Sequence, residues 1–154
     1  MTDKILIVIP SLEPDEKLVE LTGELKREGF SHILIVNDGS GPAYDDIFAR
    51  AVAEGDCRLL THSVNQGKGR AMKTAFNEFL LHPDGCEGVV TVDSDGQHRP
   101  ADIRKCCEAL LAHPDSLILG SRNFDEKGVP LKSSFGNKLT RKIFGFLSGI
   151  HIRD

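Results

Sequence analysis

Short apolar runs alternate with segments of helical periodicity along most of the chain. Runs that are almost continuously apolar or β-branched are typical of strands covered on both faces of a sheet. We predict strands at residues 4–9, 32–37, 57–62, 88–92 and 117–120. Because helical segments separate consecutive runs, the pattern predicts right-handed β-α-β units around a mostly parallel sheet, which is an α/β fold.

The segments between these runs carry apolar residues three and four positions apart, as helices with one face on a core do. In the first of them Leu18, Leu21 and Leu25 share a face, and Gly29 supplies a stop signal. We predict helices at residues 14–28, 43–54, 68–81, 101–112 and 134–147.

The size and charge of the chain argue against several classes of protein. Its 154 residues are enough for one domain with a buried core, and we predict a single domain over residues 1–154. The net charge of -4 argues against a general nucleic-acid-binding surface. The longest apolar runs, at residues 5–9 and 33–36, are too short to span a bilayer, and the opening sequence MTDK is unlike a signal peptide. We therefore expect a cytoplasmic location.

Two aspartates separated by one small residue follow the fourth predicted strand, in Asp93-Ser94-Asp95. The carboxyl ends of parallel strands form the ligand crevice of an α/β sheet, so this motif is expected in a functional cleft. Carboxylate oxygens suit a hard cation, Mg²⁺ or Mn²⁺, which would in turn hold the phosphates of a substrate. A turn built from Asp, Ser and Gly accounts for the same residues without a ligand.

Two further predicted strands lead into polar loops that could bind a ligand. Asp38, in Asn37-Asp38-Gly39-Ser40, could accept hydrogen bonds from a base or ribose, or could cap the next helix as an Asx-turn. The loop NQGKGR at residues 65–70 opens a helix, where backbone N–H groups and Lys68 or Arg70 could bind phosphate. It matches neither a Walker A sequence nor a dinucleotide fingerprint, and a glycine turn with solvated basic side chains is the alternative.

These motifs resemble, in the same order, those of family 2 glycosyltransferases, and especially the polyprenyl-phosphate sugar transferases related to dolichol-phosphate mannose synthase. Further matches are VIP at residues 8–10, Asp15-Glu16, GQH at residues 96–98 and GSR at residues 120–122. The resemblance implies a three-layer α/β/α GT-A fold, which is Rossmann-like. It also implies an inverting, metal-dependent transfer of a sugar from a UDP- or GDP-linked donor to a polyprenyl phosphate.

The resemblance also implies which residues bind the donor. The nucleotide-sugar would be bound by residues of four loops, namely Pro10, Asp38, Lys68, Asp93, Ser94 and Asp95. Within this set Asp93 and Asp95 would hold Mg²⁺ or Mn²⁺ on the diphosphate, with Gln97 beside them. Where many family members have Tyr-Asn-Glu after the first strand, this chain has Leu12-Glu13-Pro14.

On the acceptor side the resemblance points to basic residues in the last part of the chain. Arg122 matches an arginine that meets acceptor or donor phosphate, and Lys132 and Arg141 are further candidates for an acceptor-phosphate cluster. The apolar side of residues 143–150 could make a peripheral contact with the cytosolic face of a membrane. Family members continue past the position of Asp154, so we expect a domain truncated on its acceptor side.

Two other functions compete with transfer. A non-catalytic or inactive truncated domain would bind nucleotide without turnover. A nucleotidyltransferase of similar fold is disfavoured because no glycine- and arginine-rich signature follows the first predicted strand.

Overall fold

The computed structural model describes residues 2–120, and these form a four-stranded, all-parallel sheet. The strands are β1 (Ile5–Ser11), β2 (Ile33–Asn37), β3 (Arg58–Thr61) and β4 (Gly88–Thr91). Their spatial order is β3-β2-β1-β4, with each neighbouring pair parallel. Four of the predicted strands are therefore confirmed to within two residues at each end.

Helices connect the strands, as the periodicity predicts: α1 (Glu16–Arg27), α2 (Asp45–Gly55), α3 (Lys68–Leu81) and α4 (Pro100–Ala112). Asp15 caps α1, because its carboxylate accepts a hydrogen bond of 3.0 Å from the backbone N–H of Lys17. Before α2, Pro42–Tyr44 form a short 3₁₀ turn, so this helix begins two residues later than predicted. The helix predicted at residues 134–147 lies outside the described residues.

The helices cover both faces of the sheet and make three layers. Ile5, Ile7 and Ile9 of β1 are fully buried in one core cluster, which also contains residues of α1, α2 and α4. Leu6 and Val8, which alternate with them, belong to a second cluster with residues of α3. Because successive strand residues point to opposite faces, these two clusters lie on either side of β1. The predicted α/β/α fold with a parallel sheet is confirmed.

The predicted fifth strand, at residues 117–120, is wrong. This segment is irregular, and Leu117 is 84% exposed. A strand needs a neighbour for its backbone N–H and C=O groups, and no described strand pairs with residues 117–120. The apolar run indicates a preference for burial but does not supply a pairing partner.

The strand order creates a crevice beside the carboxyl end of β1. The chain connects β1 to β2 on one side, whereas β4 pairs with β1 on the other, so a topological switch point lies between β1 and β4. Ligands of open α/β sheets bind at such a point, outside the carboxyl ends of the strands. In the register Ser11 lies opposite Asn37, and Asn37 lies opposite Thr61, so three strands end level with one another.

No helix among residues 2–120 is long and apolar enough to cross a bilayer.

Candidate functional site

A cavity of about 370 Å³ opens at the carboxyl edge of the sheet. Residues that follow each of the four strands contribute to its wall. All six residues that the sequence predicts for nucleotide-sugar binding line it: Pro10, Asp38, Lys68, Asp93, Ser94 and Asp95. Their convergence follows from the parallel sheet, which places the carboxyl ends of its strands at one edge.

The aspartate pair after β4 lies in a polar part of this cavity. Lys68 donates a hydrogen bond of 2.5 Å from Nζ to Oδ1 of Asp93, whose side chain is 44% exposed. His98 Nε2 lies 3.9 Å from the other oxygen of Asp93. Asp95 is exposed, and its Oδ1 accepts a hydrogen bond of 2.9 Å from the backbone N–H of Gln97. The expected turn is therefore present, and the motif still leaves carboxylate oxygens open to the cleft.

The carboxylate oxygens of Asp93 and Asp95 fit part of a binding site for a hard cation. Two carboxylates suit Mg²⁺ or Mn²⁺, which keep several water or phosphate oxygens as ligands in protein sites. Within residues 2–120 no group of three or more His, Cys, Asp or Glu side chains is placed to hold a metal ion. A cation bound here would therefore need ligands from a substrate as well as from Asp93 and Asp95.

Asp38 is the most enclosed acidic group of the cavity wall. Its side chain is 4% exposed, and it accepts hydrogen bonds from three donors. These are His62 Nδ1 at 2.7 Å, the backbone N–H of Gln66 at 3.0 Å and that of Gly67 at 2.8 Å. Burial alone would raise the pKa of Asp38, but the three hydrogen bonds outweigh it and hold the pKa below its ordinary value.

The glycine loop uses two of its backbone N–H groups for a contact within the protein. The backbone N–H groups of Gln66 and Gly67, just before the helix, donate to Asp38 and are therefore not available to a phosphate. Gly67 has a φ of +89°, which glycine adopts without strain, and it precedes the first residue of α3. The loop therefore presents the Lys68 side chain, rather than these two N–H groups, to the cleft.

His62 contributes to the site, although nothing in the sequence pattern distinguishes it from the other histidines. It has no metal-ligand spacing to other histidines. Only the register between β2 and β3 shows that His62 lies beside Asp38. Because Asn37 lies opposite Thr61, the next residues along the two strands, Asp38 and His62, also come together. The backbone N–H of His62 donates a hydrogen bond of 2.9 Å to the backbone carbonyl of Asn37.

The loop after β2 connects to the loops on either side. Ser40 Oγ accepts a hydrogen bond of 2.9 Å from the Glu13 N–H, and its own N–H donates to Asn37 Oδ1 at 2.8 Å. Gly39 has a φ of +79° and lies against Val64 and Asn65. These contacts fix three of the cavity-forming loops relative to one another.

Of the other residues predicted for the site, some lie among the described residues and some do not. Gln97 is exposed, and its backbone supports Asp95. Leu12, which replaces the aromatic residue of many family members, is 44% exposed and lines the cavity beside Pro10. The acceptor-side residues Arg122, Lys132 and Arg141, and residues 143–150, lie outside the described residues.

The chain matches the model of glycosyl transferase family 2 over residues 7–148. It belongs to glycosyltransferase family 2. The match includes every loop of the cavity, so the family assignment and the geometry concern the same residues.

Several proteins are similar to this family 2 chain over nearly its whole length. An uncharacterized protein of Methanocaldococcus jannaschii is 32% identical over 157 residues, covering 99% of this chain and 61% of the relative. The UDP-N-acetylglucosamine–dolichyl-phosphate N-acetylglucosaminyltransferase of Methanococcus voltae is 27% identical, covering 100% and 67%. The polyprenol monophosphomannose synthase of Mycolicibacterium smegmatis is 29% identical, covering 99% and 59%. The chain thus spans about three fifths to two thirds of these relatives.

The environment of Asp38 predicts a pH-dependent contribution to stability. We expect Asp38→Asn to lower the free energy of unfolding at pH 7 by about 2–3 kcal/mol, because an amide cannot accept from all three donors. The pKa of Asp38 is lowered in the folded state, so its contribution is complete above the ordinary carboxyl value and is lost as pH falls through the lowered value. Urea unfolding at a series of pH values should show the parent approaching Asp38→Asn in acid. A difference that stays constant with pH would contradict the charge-based explanation.

Proposed function

We propose that this chain forms the donor-binding part of an inverting, metal-dependent glycosyltransferase that transfers a sugar from a UDP- or GDP-sugar to a polyprenyl phosphate. The observation that carries the proposal is the placement of Asp93, Asp95 and Lys68 in one cavity at the switch point of the sheet. The family assignment and the names of the relatives, which include an undecaprenyl-phosphate mannosyltransferase of Micrococcus luteus, support it.

The aspartate pair and Lys68 account for binding of the diphosphate. Asp93 and Asp95 would hold Mg²⁺ or Mn²⁺, which neutralises the negative charge that builds up on a nucleoside diphosphate leaving group. Lys68 carries a positive charge within 2.5 Å of Asp93, so its ammonium group lies where the same phosphates would bind. Such preorganised charge stabilises a leaving group more than it stabilises the intact donor.

The other wall of the cavity suits the nucleoside. Pro10 and the exposed Leu12 present an apolar surface for a base, beside the polar loop that contains Asp38. Ser94, between the two metal-binding candidates, also lines the cavity. Pockets of this kind combine an apolar lining with a few polar groups that fix the orientation of the ligand.

The acceptor we propose explains why no general base is needed in the described part of the site. A polyprenyl phosphate is already ionised, so its oxygen can attack the anomeric carbon directly, and a single displacement inverts that centre. Basic side chains need only position the acceptor, and Arg122, Lys132 and Arg141 are our candidates. In the whole protein the reaction would take place at the cytosolic face of a membrane, where the lipid is available.

A panel of nucleotide-sugars tests this proposal. Thermal unfolding would be measured with UDP- and GDP-linked sugars in Mn²⁺, in Mg²⁺ and in EDTA, with UMP and GMP as controls that lack the diphosphate. At 100 times its dissociation constant a ligand stabilises the folded state by about 2.7 kcal/mol, so the cognate donor should raise the Tm by several degrees. The rise should require metal. If no diphosphate nucleotide raises the Tm with either metal, the proposal is wrong.

Product analysis then separates transfer from binding alone. The donor chosen by the panel would be incubated with Mn²⁺ and a polyprenyl phosphate, and glycosylated lipid would be measured. Metal-dependent binding without product would favour the alternative, a nucleotide-binding domain that does not turn over. One observation favours testing this alternative. The chain spans only part of its relatives, 61% of the protein of Methanocaldococcus jannaschii.

A further inference from the structure

His62 links three elements that form the wall of the cavity. It follows β3, and its side chain is 9% exposed. Its Nδ1 lies 2.7 Å from Asp38 Oδ1, in the loop after β2, and its Nε2 lies 2.9 Å from Thr74 Oγ1, in α3. Both nitrogens of the ring therefore have partners, and the ring is held at two ends.

The protonation of the pair follows from the environment of Asp38. The backbone N–H groups of Gln66 and Gly67 both donate to its carboxylate and favour the ionised form, and an ionised carboxylate can only accept. The hydrogen must therefore lie on Nδ1 of His62, and in the neutral ring Nε2 then accepts from the Thr74 hydroxyl. With both nitrogens hydrogen-bonded and little of the side chain exposed, His62 is unsuited to proton transfer with a substrate.

The contacts of His62 fix α3 at two points. One is direct, through Thr74 in the second turn of the helix. The other passes through Asp38, whose second oxygen accepts from the N–H of Gly67, the residue before α3 begins. Lys68, the first residue of α3, reaches Asp93 from this point. Movement of the helix start would therefore move the Lys68 ammonium relative to the aspartate pair.

We propose that His62 is a positioning residue, which with Asp38 and Thr74 fixes the start of α3 and thereby places Lys68 against Asp93 for donor binding. The inference rests on the proposed function for the identity of the ligand, but its geometric part does not. In this arrangement Asp38 also acts on the nucleotide site through the backbone of Gln66 and Gly67, whose N–H groups donate to its carboxylate. His62 itself touches no substrate.

Substitutions at both ends of the His62 ring test the proposal. His62→Ala removes both contacts, whereas His62→Asn keeps an N–H donor near the position of Nδ1. Thr74→Val removes the hydroxyl with little change in shape, and Thr74→Ser restores it. Thr22→Val is the matched control, because the buried Thr22 hydroxyl donates to the Val19 carbonyl within α1, in the helical layer on the other face of the sheet.

Amide hydrogen exchange measures the positioning without any ligand. In His62→Ala the N–H groups of Gln66 and Gly67 should exchange at least about 10-fold faster. Local opening of the loop is easier there, because the hydrogen bond between His62 and Asp38 no longer has to break. His62→Asn and Thr74→Ser should stay near the parent, and Thr22→Val should change neither amide. Nitrogen NMR of the parent should show His62 with its hydrogen on Nδ1 at neutral pH. Unchanged exchange in His62→Ala and Thr74→Val, or a hydrogen on Nε2 alone, would overturn the inference.

Nucleotide affinity with Mn²⁺ measures the consequence for the site. His62→Ala should raise the Kd of the cognate nucleoside diphosphate by at least about 10-fold, since misplacement of a binding group by about 1 Å can cost up to about 100-fold. Thr74→Val should raise it less, and Thr22→Val should leave it unchanged even where it lowers the Tm. An equal Kd in His62→Ala and in Thr22→Val would overturn the link to donor binding. If the parent binds no nucleotide, the proposed function fails, whereas the exchange and NMR results still decide the geometric part.

Discussion

Replacement of Asp95 by Asn is expected to weaken Mn²⁺-dependent nucleotide binding by at least about 100-fold. Even the loss of a residue that only hydrogen-bonds to a metal ligand costs about 10- to 100-fold in metal affinity. Asparagine keeps an oxygen that can accept from the Gln97 N–H, so the turn after β4 should persist. Asp93 and Asp95 carry two negative charges against the single positive charge of Lys68. In Asp95→Asn the remaining charge on Asp93 is balanced by Lys68, and little attraction for a divalent cation is left.

The measurement is nucleotide affinity by calorimetry in Mn²⁺ and in EDTA. Asp84→Asn is the control, because it removes the same charge at the opposite end of the sheet, between α3 and the amino end of β4. Asp84 has a φ of +46°, a conformation that asparagine tolerates. In Mn²⁺ the parent and Asp84→Asn should bind the nucleotide with the same affinity. Asp95→Asn in Mn²⁺ should bind it only as weakly as the parent does in EDTA. If Asp95→Asn keeps the metal-dependent affinity of the parent, Asp95 does not bind the metal.

The layered fold could be predicted because its signals are local. The apolar run of β1 and the amphipathic helix that follows it are both visible in the sequence, and the structure confirms them. The segment at residues 117–120 has a similar apolar pattern, yet it forms no strand. Strand formation depends on a neighbouring backbone, and a pattern of apolar residues says nothing of that neighbour.

The candidate site could be predicted in its position but not in its internal contacts. Asp38, Lys68 and the aspartate pair come together because parallel strands end at one edge. The contact between Asp38 and His62 depends on the register of β2 and β3, which the sequence alone does not specify. The direction of the Gln66 and Gly67 N–H groups depends on loop dihedral angles, such as the φ of +89° at Gly67. The sequence therefore indicates which loops meet, but not that the backbone of one of them donates to Asp38.

Gly39→Ala is the second substitution for which we expect a large effect. A Cβ atom built on Gly39 would lie 2.6 Å from the Val64 carbonyl oxygen, and closer still to the Val64 carbon and the Asn65 nitrogen. These are backbone atoms, so they cannot turn away as a side chain could. Gly39 also has a φ of +79°, where an L-residue costs about 1–2 kcal/mol. With about 1–3 kcal/mol for overpacking, the free energy of unfolding should fall by about 2–5 kcal/mol.

Urea unfolding measures this loss, and Gly41→Ala in the same loop is its control. Gly41 has a φ of -69°, and an added Cβ would meet no atom within 4 Å, so its stability should stay within about 0.5 kcal/mol of the parent. Because relief of the overlap requires residues 64 and 65 to move, Gly39→Ala should also expose the Gln66 and Gly67 N–H groups to faster exchange. If Gly39→Ala is as stable as Gly41→Ala, the loops after β2 and β3 do not pack directly against each other. The cavity wall would then lack the rigid connection that places Asp38 beneath the glycine loop.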